Sequence, residues 1–440
     1  MVHGSLADKI VLFALPVAIT AILQQLYNVA DIATTGQFVS TAAMAAVGSN
    51  SSTVSLLVAL FQGISLGANV VIATAIGANK PEDASRAAHT ALVIAVVGGI
   101  IFAALSELVV TPLLNMLMVP DEIFDMAALY LRIYMAGLPV VFLYDFEAAI
   151  FRSIGDTFTP LYTLLVSSAL NVVLDLIVTI QFGWGADGVA ATTVISTGVA
   201  AVILFVQLLH TDSVVRIEIP KIRVDGAALK QILVIGLPAG VQGAFFSLAN
   251  IVIQGGINSL GQTVIAGNSA AQSIESITYF TYNSFGQACT TFVGQNHGAN
   301  QPVRCRKTLK VCMAESLICG VILIALVVSF GRILVGFFDS DPAVIEQGYL
   351  RITIVIYSQI FCSFNENFSG FLRGYGLSLA PAFVTIFSIV GLRLIYVATV
   401  FAHNPTYPVL LTVYPISLGV NAACLVILYF FVRKFSRRVA

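Results

Sequence analysis

The chain has 440 residues, of which 58% are hydrophobic and only 10% charged, and its formal net charge is −1. An ordinary soluble domain carries about a quarter charged residues, so there are too few here to coat two or three soluble cores. The near-neutral balance also argues against nucleic acid, whose phosphates call for a concentrated surplus of Lys and Arg; the lipid bilayer is the expected partner.

A helix needs about 20 mostly apolar residues to cross the hydrocarbon while satisfying its own backbone hydrogen bonds. Twelve such runs occur in succession, at 10–34, 52–76, 87–111, 124–150, 161–182, 189–210, 232–257, 269–295, 309–338, 345–372, 382–402 and 409–432. The segment before the first run is short and polar, and the run itself is too long for a cleavable signal, so it is expected to remain as the first span. Cys305, Cys312 and Cys319 recur every seven residues, a helical stripe rather than a ligand spacing, and read as small packing residues. The histidines form no metal spacing, and His89, His210, His297 and His403 are expected at solvated or interfacial span ends. No permanent metal and no cofactor are expected.

Short cytoplasmic loops collect Lys and Arg. With the N-terminus inside, 17 of the 21 basic residues fall on one side, from Lys9 and Lys80 through the cluster Arg304, Arg306, Lys307, Lys310 to Arg437 and Arg438. Arg132, Arg332, Arg351 and Arg393 lie within spans or at their ends. Both termini are therefore expected in the cytoplasm of a multi-pass plasma-membrane protein.

The chain repeats itself about 220 residues on. Leu15-Pro16 recurs as Leu237-Pro238, Gly77-Ala78-Asn79-Lys80-Pro81 as Gly298-Ala299-Asn300-Gln301-Pro302, and Tyr130-Leu131-Arg132-Ile133 as Tyr349-Leu350-Arg351-Ile352. Arg152, Gly155 and Pro160 match Arg373, Gly376 and Pro381. The expected fold is all-α: twelve transmembrane helices in two six-helix bundles related by a pseudo-two-fold along the membrane normal, with a cleft between them. Residues 1–210 would form the first bundle, 211–228 a cytoplasmic linker, and 229–440 the second bundle. The alternation Val215-Arg216-Ile217-Glu218-Ile219 predicts an extended strip in the linker.

Ionisable groups inside a span are costly, roughly 2.5–3.5 kcal/mol at its centre, so each calls for a partner or a task. Gln24, Asn28, Asp31 and Thr35 share one face of the first span, and Asn171 and Asp175 share one face of the fifth. Counting along the spans brings both aspartates to the outer third, level with Thr192, Thr193 and Tyr130. The repeat maps Asn171 and Asp175 onto Leu392 and Tyr396, so this cluster belongs to one half, which favours function over scaffold. Two carboxylates in a low dielectric cannot both ionise cheaply and could exchange a proton. With Asn171 and a threonine they could equally ligate Na⁺.

Asp145 and Arg152, like Glu366 and Arg373, stand seven residues apart and read as structural ion pairs. In the second half Gln242 and Asn250 on the seventh span, and Gln272, Glu275 and Tyr279 on the eighth, form polar stripes that could line the cleft with Gln24 and Asn28. Glu275 is read either as a contact for a cationic substrate or as a structural partner of Arg393. Pro16 interrupts the first span and could bend it, coupling cation occupancy to the cleft.

The run from Pro16 through Leu26-Tyr27-Asn28-Val29-Ala30-Asp31, with Gly63, Gly67, the Gly77-Ala78 loop entry and Arg152-x-x-Gly155, resembles the multidrug and toxic compound extrusion (MATE) family over essentially the whole chain. The resemblance implies export of amphiphilic, often cationic drugs or toxic compounds in exchange for H⁺ or Na⁺ by alternating access, by a protein that is not an enzyme and works as a monomer. It is similar to the branch with an aspartate pair in the N-terminal bundle, and implies Asp31, Asn171 and Asp175, with Tyr130 and Thr192, as the cation site and Pro16 as the hinge. Alternatives are a lipid-linked precursor flippase of the same superfamily and a channel-like or structural membrane protein.

Overall fold

The computed structural model describes residues 1–116, 119 and 121–439; the side chains of 435–439, among them Arg437 and Arg438, lie outside the described residues. The described residues form twelve helical segments in chain order. They are α1 (Ala7–Phe38), α2 (Thr41–Gly77), α3 (Pro81–Met116), α4 (Asp121–Ala136 and Leu138–Ile154), α5 (Phe158–Ile180) and α6 (Ala186–His210). After the linker come α7 (Gly226–Asn258), α8 (Gln262–Gly298), α9 (Pro302–Gly336), α10 (Pro342–Val355 continuing to Ile360–Gly374), α11 (Leu379–Thr385 continuing to Val397–Phe401) and α12 (Tyr407–Leu411 and Val413–Val439). Each apolar run of the sequence falls on one of these helices. Among the described residues nine helices are apolar and long enough to cross a membrane, and α4 qualifies when its two pieces are joined across a 47° bend. The other two, α8 and α10, carry more polar side chains, and many of these are buried inside the protein.

The bend in α4 has a local cause. Gly137 packs so tightly that a Cβ there would lie 2.2 Å from Val194 Cγ2, and Pro139 just beyond cannot donate to the helix ladder. Side chains such as Leu108, Phe387 and Ile427 are more than two-thirds exposed, an apolar exterior suited to lipid and not to water.

The internal repeat is visible in the backbone. Asn79 and Asn300 are the two described non-glycine residues with positive φ, 56° and 54°. Each ends a helix in the left-handed conformation that Asn tolerates better than most residues, and each is followed two residues later by a proline that opens the next helix, where its missing N–H costs nothing. Gly155 and Gly376 form a second matched pair, at φ 96° and 78°.

The chain divides into two compact units, one spanning Ile19–Leu237 and the other joining Met1–Ala18 to Pro238–Ala440. The divisions fall within α1 and α7, two residues beyond Pro16 and at Pro238 itself. In the first unit the rings of Phe61 and Phe142 stack while Phe102 meets Phe61 edge-on. Gly67 and Gly236 let α2 and the start of α7 approach backbone to backbone: a Cβ on Gly67 would sit 2.4 Å from the Ile232 carbonyl oxygen.

The linker alternates as predicted over its first four positions, with Val215 and Ile217 buried and Arg216 and Glu218 exposed, but Ile219 is exposed because a 3-10 turn over Ile219–Lys221 ends the strip. It is a docked strip without strand partners among the described residues. Ile217 N–H donates to Leu208 O at 2.9 Å, Asp225 N–H to Thr90 Oγ1 at 3.0 Å, and Glu218 N–H to His89 Nε2 at 3.0 Å. His89 is thus not at a solvated span end but 2% exposed. Its Nδ1 lies 2.7 Å from Ser85 O, so the chemistry of the two partners fixes the tautomer: Nδ1 carries the proton and Nε2 accepts.

In the second unit Phe13 of α1 packs edge-on against Phe292, in a core that includes Cys289, Cys305 and Cys312, and Arg304 donates to the carbonyls of Met1 and Gly4. The cysteine stripe is packing material, and the cysteines are free thiols.

Candidate functional site: a buried aspartate pair

Asp31 of α1, Asn171 and Asp175 of α5, and Thr192 and Thr193 of α6 converge inside the first unit. Asp31 is 3% exposed, and Asn171 and Asp175 are 0% exposed. The i, i+4 spacing of Asn171 and Asp175 places them one above the other on the face of α5 that meets α1 and α6. Thr193 Oγ1 donates to Asp31 Oδ2 at 2.9 Å, and Thr192 Oγ1 donates to Asp175 Oδ1 through a short contact. The two carboxyls lie within electrostatic reach of each other. Tyr130 is buried within reach of both charges. Every member of the predicted cation set therefore gathers in one place.

Two features of this cluster define its chemistry. First, Oδ1 of Asp31, Oδ2 of Asp175 and both amide atoms of Asn171 are buried without a hydrogen-bond partner. Buried polar atoms are nearly always satisfied, and Asp31 stands within hydrogen-bonding reach of Asp175 and Asn171, so these atoms face one another and a proton or cation shared among them would satisfy them. Second, each threonine hydroxyl has two acceptors within reach. Thr192 and Thr193 both lie 2.8 Å from the carbonyl of Val189, as well as beside their aspartates. A hydroxyl has one proton to donate. When an aspartate is ionised its threonine turns towards it; when the aspartate is protonated, or its charge is taken up by a cation, the threonine turns to Val189 and its oxygen is free to accept or ligate. Orphaned carboxylate and amide oxygens with rotatable hydroxyls suit either a proton or a small hard cation such as Na⁺. No soft or nitrogen ligand set occurs among the described residues.

The sequence pattern alone did not single out Tyr27. Its hydroxyl donates to Thr193 O at 3.3 Å, and it stands within reach of the charge on Asp31. It lies one turn before Asp31 on the same helical face, which was the available signal. Gln24 is half-buried and Asn28 exposed on the same helix.

The second unit is organised differently. Glu275 is in a buried fork-on-fork pair with Arg351 (Nε to Oε1 3.1 Å, Nη2 to Oε2 2.8 Å) and not with Arg393, the structural partner that the sequence offered as one of two readings. Arg351 also donates to Asn268 Oδ1 at 2.6 Å, and Tyr407 donates to the same oxygen at 3.1 Å. Arg393 instead donates to Asn250 Oδ1 at 2.7 Å and to Ser417 Oγ at 3.2 Å.

The pairing expected between Glu366 and Arg373 is also not direct. Glu366 accepts from Tyr279 at 3.4 Å and Asn283 at 3.2 Å, while Arg373 donates to Gln242 Oε1 at 2.8 Å, and the two charges act on each other at longer range. Residues seven apart on a helix share a face but sit about 10 Å apart along its axis, so cross-helix partners reach each charge first. Asp145 and Arg152 are likewise electrostatic neighbours, and Arg152 Nε donates to Ala148 O at 3.1 Å. Of the remaining polar-stripe residues, Gln272 is exposed on α8, and Tyr279 and Gln242 are tied into the Glu366–Arg373 network.

A duplicated twelve-helix membrane protein with a costly, partly unsatisfied carboxylate pair in one half belongs to the class of transporters. Comparison with known proteins narrows this, since the MatE family profile matches residues 16–177 and 238–399, one stretch in each half. The chain belongs to the MatE family of multidrug efflux transporters. It is 27% identical over 435 residues to the probable multidrug resistance protein YoeA of Bacillus subtilis, covering 96% of this chain and 93% of that one. The probable multidrug resistance protein NorM of Thermotoga maritima is 27% identical over 395 residues, 88% of this chain and 84% of its own. Among solved structures, a MATE protein in complex with MaL6 superposes with a TM-score of 0.90 at 21% identity, covering 100% of this chain and 98% of that one. An outward-facing multidrug resistance transporter of the MATE family superposes at 0.88 with 22% identity, over 98% and 96%. These likenesses confirm the all-α, twelve-helix fold read from the sequence.

Proposed function

We propose that this transporter exports amphiphilic, often cationic small molecules in exchange for H⁺ or Na⁺ by alternating access, with Asp31, Asn171 and Asp175 as the coupling site and Tyr27, Tyr130, Thr192 and Thr193 around it. The observation that carries this reading is the set of orphaned atoms on both aspartates and Asn171 in a site with no counter-cation among its described hydrogen-bond partners. A cation entering satisfies them, and the threonines rotate away; the cation leaving reverses both changes. Occupancy is thereby tied to the packing of α1 against α5 and α6. Pro16 weakens α1 near the point where the helix passes between compact units, which supports a hinge there. The basic residues of the short loops support cytoplasmic termini, and the repeat supports two six-helix bundles as working parts of a monomer at the plasma membrane.

The test is efflux of a fluorescent organic cation from proteoliposomes, with pH and Na⁺ gradients imposed separately. One of the two gradients drives export and its collapse stops it. Export that ignores both gradients would overturn the exchange mechanism.

A further inference from the structure

The coupling site leaves unused one of the costliest groups in the protein. Arg393 on α11 is 1% exposed and in the apolar interior of the second unit. The groups that act on its charge are Tyr414, Cys362 and Arg351, none of them a carboxylate. Its hydrogen-bond acceptors, Asn250 Oδ1 and Ser417 Oγ, are neutral. The rings of Tyr414 and Phe246 lie 4.8 and 5.3 Å from its guanidinium carbon. The nearby Arg351 also stacks on Tyr414, at 4.8 Å, but Glu275 neutralises it. Among the described residues this corner of the bundle thus holds two guanidiniums and one carboxylate. A buried guanidinium without a counter-charge is a standing cost in a low-dielectric interior.

Two independent observations suggest that the cost serves binding. The turn that carries Arg393, Leu392–Tyr396, is bracketed by π-helical segments at Ile386–Gly391 and Val397–Phe401. Such widened turns are rare and concentrate at functional sites. The repeat supplies the second observation. It equates α11 with α5, the helix of Asn171 and Asp175, and equates Asn250 with Asn28 on α1 and Ser417 with Ser196 on α6. The guanidinium is therefore held by the same three helices of the repeat that hold the aspartates, with the sign of the charge inverted. Asn250, Phe246 and Tyr414 are only half-buried, so the cluster opens towards the surface along α7 and α12.

We propose that Arg393, with Asn250 and Ser417 as neighbouring polar groups and Tyr414 and Phe246 as aromatic walls, binds a monovalent anionic group, either chloride or the carboxylate of a transported amphiphile. The aromatic walls would hold the ring system of such a molecule while the guanidinium takes its carboxylate. The proposal rests on the transport reading only for what the site is for. Binding itself is measured without any gradient, so failure of export and failure of this site are read separately.

The experiment is calorimetric titration of the purified full chain in detergent and chloride-free methanesulfonate buffer, with 2-naphthoate, with its uncharged amide, and with chloride as competitor. The carboxylate is expected to bind at least about tenfold more tightly than the amide, the scale of one charge-assisted hydrogen bond. Arg393→Gln removes that preference. Asn250→Asp supplies a carboxylate beside the guanidinium and should abolish naphthoate binding while keeping the fold, which protects the test if Arg393→Gln fails to fold. Competition by chloride at millimolar levels assigns the site to the ion, and indifference to chloride assigns it to the substrate carboxylate; either supports an anion site. Equal binding of carboxylate and amide by the wild type, or a carboxylate preference that survives both substitutions, overturns it.

Discussion

The two halves of this protein are built from one repeat, yet the helices that the repeat equates hold opposite charges. α1, α5 and α6 enclose two carboxylates left partly unsatisfied, whereas α7, α11 and α12 enclose a guanidinium with neutral partners. A buried carboxylate can shed its charge by taking a proton or can surround a small cation with oxygens. A guanidinium does neither and can only be answered by an anion or a carboxylate. The comparison teaches that duplication fixed where polar groups can sit between these helices, while side-chain chemistry decided what each place can exchange.

The sharpest way to break the contrast is to neutralise the aspartates. Asp31→Asn and Asp175→Asn should each lower the steady-state substrate gradient by about fiftyfold at 100 mV, because one charge moved through that potential supplies about 2.3 kcal/mol that a neutral variant does not couple to. Normal efflux by both variants, at wild-type abundance in the membrane, would sink the coupling site. The ion pair that balances the second half is read by stability and not by transport. Glu275→Gln leaves Arg351 buried without its partner and should cost about 3–5 kcal/mol of stability, whereas Glu275→Leu with Arg351→Met should recover most of that loss. Thermal melting in detergent measures both, and a single variant as stable as wild type would show that the pair contributes nothing. The smallest effect is expected at the hydroxyls. Thr193→Val removes a hydrogen bond to Asp31 worth roughly 1.5–3 kcal/mol, so the driving-cation concentration that half-saturates efflux should shift by about tenfold or more. Thr281→Val, which removes a bond to the Ile277 carbonyl on its own helix in the second unit, should leave it unchanged. Equal shifts in the two variants would mean that the Thr193 contact with Asp31 has no special role.

Much of the coupling site was legible without coordinates. The i, i+4 spacing of Asn171 and Asp175, and the depth of Asp31 counted along its span, were enough to bring the aspartates together, because helical geometry and bilayer thickness are fixed quantities. Tyr27 was missed because an aromatic residue in an apolar span looks like any other packing residue until its hydroxyl is seen to reach Thr193. The ion-pair expectations fared worse. Arg393 was one of two partners read for Glu275, and Glu366 was paired directly with Arg373, since sequence offers charge and spacing but not the rotation of one helix against another. His89 sits at a span end, as expected, but the linker covers it.

The sequence by itself determined that this is a duplicated twelve-helix membrane protein of the MatE family, because composition, span length and repeat spacing are properties of the chain alone. Only the tertiary structure decided which acid meets which base, which oxygens are left orphaned and which buried arginine has neutral partners among the described residues. Those outcomes depend on helix rotations of a few tens of degrees, which no local pattern encodes.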